Sequence, residues 1–181
     1  MLWSQRLSPA EKAKRVGPIV VETCDMAPNR FIDWLRREQG VRLDSKIANF
    51  VRVEVMLFIY HIFDRLALDA LGAQGRSVFM DSVFAQLLAS LLSEDTGIAA
   101  LFQQLGNVRQ SEYAKYRDWF PKSGKPTRDT LFWEFSKKLT GMITKKEPAE
   151  HLELLLALNV YFSSVILSVL KKTDVVKILK Q

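Results

Sequence analysis

Apolar residues recur along the chain at helical spacing, and one long stretch without proline or glycine opens at Asp44 or Ser45 and ends at Leu71. Gly72 follows as a C-terminal stop signal. The middle of that stretch, Val53 to Phe63, is apolar on almost every face, the pattern of a helix enclosed by its neighbours. Downstream, Val83, Phe84, Leu87, Leu88, Leu91 and Leu92 make a two-residue-wide stripe on a helix predicted from Arg76, with Ser77 as cap, to Leu92. Asp95 or Thr96 starts another helix. Its apolar positions Leu101, Leu105, Val108, Tyr116, Trp119 and Phe120 hold nearly one face, which extends the prediction to Phe120. Proline and glycine then punctuate a loop from Pro121 to Arg128. Asp129 or Thr130 caps a helix carrying Phe132, Phe135, Leu139, Met142 and Ile143. Glu147-Pro148 opens a last long helix that runs through Leu170, and residues 174–181 form a short helix or a tail.

The N-terminal third is more interrupted. Ser8, Pro9 and Glu11 supply an N-cap, a proline at the first helical position and a capping-box acid. That helix is expected to stop before Gly17-Pro18. Residues 19–26 read as helix or extended connector, and Asn29 then caps a helix with Phe31, Trp34 and Leu35 on one face, ended by Gly40. No alternating strand pattern and no fixed-period repeat occurs. The expected fold is an all-α, single-domain helical bundle over 1–181, with six or seven helices and two long central ones at 44–71 and 149–170.

Composition adds limits. At 181 residues, 48% hydrophobic and 25% charged, the chain can bury a core without disulfides or metal. One cysteine, Cys24, excludes an intramolecular disulfide and a cysteine-rich zinc module. The N-terminus lacks the charged head and apolar core of a secretory signal, so a cytoplasmic location is expected. The net charge of +6 is lopsided: residues 122–181 hold 11 basic and 6 acidic side chains of the 26 and 20 in the whole chain. Such an excess permits an acidic partner, a nucleic acid or an anionic membrane face.

Four features bear on chemistry. Glu54, Phe58, His61, Arg65 and Asp69 share one helical stripe, by steps of three and four. Buried, they form either a network that sets helix register or, through Glu54, His61 and Arg65, the polar floor of a ligand pocket or enzyme site. The segment 113–128 interleaves aromatic residues with Lys115, Arg117, Lys122, Lys125 and Arg128, a mixture suited to single-stranded nucleic acid. Tyr116, Trp119 and Phe120 continue a core face, however, which favours packing with a solvated basic loop. Leu152 to Leu170 is long enough to span a bilayer and is flanked by lysine pairs, yet the amphipathic helices around it need an apolar partner. Burial within the bundle is therefore expected, and a membrane span is not.

No catalytic residues, metal site or cofactor are expected. Neither His61 nor His151 has a glutamate three positions before it, as di-iron bundles require. Ser123 to Thr127 is not a phosphate loop, because Trp119 stands where its first glycine belongs and Pro126 lacks an N–H. Cys24-Asp25 matches no cysteine-hydrolase signature. By elimination the leading expectation is a non-enzymatic helical interaction module, an adaptor, regulator or assembly factor, whose partner is another protein or a second copy. A nucleic-acid-binding protein and a small-ligand pocket or enzyme at the Glu54 stripe are the alternatives.

Overall fold

Ser8 Oγ accepts a hydrogen bond from the Glu11 N–H at 3.3 Å, and the Glu11 carboxylate accepts from the Ser8 N–H at 2.8 Å. This is the capping box read from the sequence, and it opens α1, Pro9–Glu38. The computed structural model describes residues 7–119 and 129–181. Among the described residues all regular elements are helical.

The helix does not stop at Gly17-Pro18, and the expected separate helix from Asn29 is its continuation. Val16, Val20, Cys24, Ala27, Phe31 and Leu35 recur every three or four residues and are all buried. Burying each large member of such a stripe is worth about 1.5–3 kcal/mol, together more than the ~3 kcal/mol that an interior proline costs. Gly17 has a different task from ending a helix. A Cβ there would lie 2.4 Å from Gln86 Oε1, so its bare backbone admits the Gln86 side chain of the neighbouring helix.

That neighbour is α2, Ser45–Glu94, capped by Asp44, whose carboxylate accepts from the Ile47 N–H at 2.8 Å. It breaks at Gly72, where φ is 68° and ψ 179°, a conformation almost restricted to glycine. The expected stop is real, but the second arm resumes at once instead of at Arg76, and Ser77 is no cap. The arms fold back on each other: Asp64 pairs with Arg76, and the Tyr60 ring lies 6.1 Å from that of Phe84. Asp95 caps α3, Thr96–Tyr113, accepting from the N–H groups of Gly97 and Ile98 at 2.8 and 3.1 Å. This helix ends seven residues before Phe120, its expected limit. The Arg65 guanidinium takes the carbonyls of Tyr116 and Arg117, which draws the chain off the helical path.

Then come α4, Leu131–Thr144, a single turn at Pro148–His151, α5, Leu152–Lys172, and α6, Val175–Lys180. The Lys12 ammonium donates to the Leu179 carbonyl at 2.8 Å and ties α6 to α1. The first arm of α2 is the enclosed helix that its composition implied, with every residue from Val53 to Ile59 buried. Phe58 at its middle stacks on Phe135 of α4, with centroids 3.8 Å apart, and meets Phe132 and Phe162 edge-on.

The second helix expected at the centre, 149–170, sits differently. Only Leu155, Leu158, Phe162 and Ile166 of α5 are buried, so the helix completes the core with one face and leaves the opposite face in water. The apolar partner that α4 requires is supplied mainly by this one face of α5, with α2 adding the rest.

Candidate functional site

The three stripe residues of α2 are held by three separate sets of partners. Glu54 is fully enclosed and accepts from Arg109 Nε at 2.7 Å and from the Tyr113 hydroxyl, both on α3. The Lys138 ammonium of α4 stands 3.9 Å away and also meets Glu112. Burial works against charge on Arg109, but the hydrogen bond and charge of Glu54 outweigh it and raise its pKa. Burial, then the charge of Glu54, pushes the Tyr113 phenol well above its ordinary value, so it remains a donor. His61, 2% exposed, shares a 2.8 Å hydrogen bond between Nδ1 and the Gln110 carboxamide oxygen. Burial lowers its pKa, against the hydrogen bond to Gln110 and the charge of Asp64. In the neutral ring Nδ1–H donates, leaving Nε2 as an acceptor. Arg65 grips two backbone carbonyls and lies 5.8 Å from the Trp119 ring centroid.

These contacts pin α3 and α4 onto α2. They disperse Glu54, His61 and Arg65 rather than gathering them around a common space. Their partners Arg109, Gln110 and Lys138 were not identified from the sequence. The one available signal was Arg109 three residues before Glu112, the spacing of an ion pair on a helix face.

A cleft of about 500 Å³ opens beside this network, between the arms of α2 and α3. Gln110 lines it together with Tyr60, Asp64, Arg76, Phe84 and Phe102, whereas Glu54, His61 and Arg65 do not. Asp64 and Arg76 are joined there by two hydrogen bonds of 2.7 and 2.8 Å, so these two charges neutralise each other and Asp81 is the remaining charged residue on its wall. Cys24 is fully buried, and desolvation pushes its thiol far above the usual range, which leaves no thiolate for nucleophilic chemistry. Among the described residues no group of three or more His, Cys, Asp or Glu side chains is gathered for a metal.

Of the five basic candidates for an anion site, Lys122, Lys125 and Arg128 lie outside the described residues. Lys115 lines a cleft of about 570 Å³ with Lys137 and Lys138, but Glu112, Glu134 and Glu147 share its walls. Lys137 pairs with Glu134 at 2.8 Å and Lys138 with Glu112, so these cations face carboxylates. Arg117 is exposed, with its backbone carbonyl taken by Arg65. Tyr113 is buried, and Tyr116 and Trp119 pack on the core, leaving no run of open rings among the described residues of this segment for bases to stack on.

What α5 presents to water is different in kind. Leu152, Leu156, Val160 and Leu167 are 52%, 48%, 65% and 42% exposed. Leu156, Val160 and Leu167 lie on the face away from Leu155, Leu158, Phe162 and Ile166, and Leu152 stands at its flank. By length and composition the stretch 148–172 could cross a membrane, but its inner face is engaged: Phe162 stands 4.7 Å from Phe31 and 4.8 Å from Phe135. A helix apolar on both faces, with one committed to the core, offers the other to something else. Comparison with protein-family models, curated proteins and solved structures finds no match to this chain.

Proposed function

We propose that the protein is a non-enzymatic helical interaction module, of the adaptor, regulator or assembly-factor kind, and that its working surface is the outer face of α5. The observation that carries this reading is the stripe of Leu152, Leu156, Val160 and Leu167 in water on a helix whose inner face closes the core. Residues 152 to 167 extend over about 22 Å at 1.5 Å per residue, a length suited to contact with another helix. Scattered apolar residues on a surface are ordinary, whereas an aligned row marks a docking face. The polar chemistry of the interior supports the same reading, because Glu54, Arg65 and Arg109 are engaged in joining helices.

Site-specific photo-crosslinking tests it. A photoreactive side chain is placed at Val160 of the full chain, in its own cells, with a control at the exposed Glu22 of α1. The expected result is one discrete protein adduct from position 160, mapping to an apolar helical face, and none from position 22. No protein adduct at position 160, or adducts to lipid alone, overturns the reading.

A further inference from the structure

If the outer face of α5 is the docking surface proposed above, its occupant has to match both an apolar middle and charged ends. Along that face the exposed positions are Glu153, Leu156, Val160, Ser164, Leu167 and Lys171. At 100° per residue all six fall within an arc of about 80°, so they form one row. The row is self-complementary on reversal. A second α5 laid antiparallel, with a two-fold axis level with residue 162, brings Glu153 opposite Lys171, Leu156 opposite Leu167 and Val160 opposite the small Ser164. Each opposed pair is equidistant from residue 162 to within one position. We infer that the occupant is a second copy of this chain, joined through a two-fold antiparallel α5 pair.

The wider charge distribution favours the same arrangement. The segment that leads into α5 and its first turn hold Glu147, Glu150 and Glu153 beside Lys145 and Lys146, whereas α5 ends on Lys171 and Lys172 and is followed by Asp174 and, on α6, Lys177 and Lys180. Antiparallel pairing sets the more acidic end on the basic end twice over, and parallel pairing sets basic on basic. Within the row a flat anionic bilayer would repel Glu153, whereas the Lys171 of a second copy would pair with it, so the row suits a second copy better than a membrane. A shallow crossing of about 20° lets two such rows touch along their length. The contact is narrow, at the small end of specific interfaces, which implies a dimer with Kd on the order of 10–100 μM.

Sedimentation equilibrium on the full chain, at concentrations bracketing that range, is the test. The mass should rise from 20.8 kDa toward twice that value. Glu153→Lys and Lys171→Glu should each weaken association about tenfold or more, since each sets like charges together twice. An equimolar mixture of these two variants should associate as wild type does, because each supplies at both ends the charge the other needs. Val160→Asp should abolish the dimer while leaving the circular dichroism unchanged, and the melting temperature unchanged at concentrations well below the Kd, where wild type is also monomeric. A chain that stays monomeric throughout overturns the inference. Should photo-crosslinking at position 160 then capture a different protein, the docking face stands without self-pairing. A dimer indifferent to Val160→Asp and to both charge reversals uses another surface and equally overturns it. So does a monomer that binds phosphatidylcholine–phosphatidylserine vesicles through α5 without self-associating.

Discussion

Replacing Arg109 with Met would leave the Glu54 carboxylate inside the bundle without its main counter-charge. Glu54 is fully enclosed and Arg109 only 17% exposed, so little water can reach the site to compensate. At an effective dielectric of about 20, two unit charges 4 Å apart interact by roughly 4 kcal/mol. Removing one partner from such a pair costs about 3–5 kcal/mol. The Tyr113 hydroxyl and the Lys138 ammonium at 3.9 Å would remain on Glu54, which places the expected loss near the lower figure. For a chain of this size that is a fall in melting temperature of about 6–12 °C. Adding Glu54→Gln to Arg109→Met removes the stranded charge, and the remaining cost should shrink to about 1 kcal/mol, that of a neutral hydrogen bond. Differential scanning calorimetry of the three proteins at pH 7 decides the matter. If Arg109→Met melts within 2 °C of wild type, or if the double variant is no more stable than the single one, Glu54 is not a buried charge held by Arg109.

Two other perturbations test the same framework. Burial holds the His61 pKa below its unfolded value of 6.5, so its contribution is full above about pH 6.5 and is lost as pH falls from there to the folded value. Chemical denaturation between pH 7.5 and 5 should lose at most about 1.4 kcal/mol per pH unit from this group, and His61→Gln should remove that slope; an unchanged slope would place the titration elsewhere. Gly72→Ala forces a side chain into φ 68°, ψ 179°, where the expected cost is about 1–3 kcal/mol, and a melting temperature equal to wild type would mean that the joint between the arms of α2 relaxes freely.

Much of the helical layout could be read along the chain because the signals are local. Ser8 with Glu11, Asp44, Asp95 and Gly72 act through atoms within a few residues of themselves, so their caps and breaks do not wait for the rest of the fold. The enclosure of 53–63 was equally plain, since no arrangement exposes so unbroken an apolar segment at low cost. Pro18 and Pro28 misled because a local penalty was outweighed by a buried stripe whose partner lies on another helix. Phe120 misled because the continuation of an apolar face says nothing of Arg65, 51 residues upstream of Tyr116, drawing off that residue's carbonyl.

The polar stripe of α2 divides along the same line. Helical spacing placed Glu54, His61 and Arg65 on one face, and desolvation required each to have partners. Which partners they took, Arg109 and Tyr113, Gln110, and the carbonyls of Tyr116 and Arg117, was decided by how α3 and the segment after it cross α2. The apolar character of 152–170 belongs to the sequence alone, but a sequence apolar on both faces does not say how many faces will be covered. Only the packing of α5 against Phe31, Phe58 and Phe135 determined that one face is spent on the core and that Leu156, Val160 and Leu167 are left to meet water.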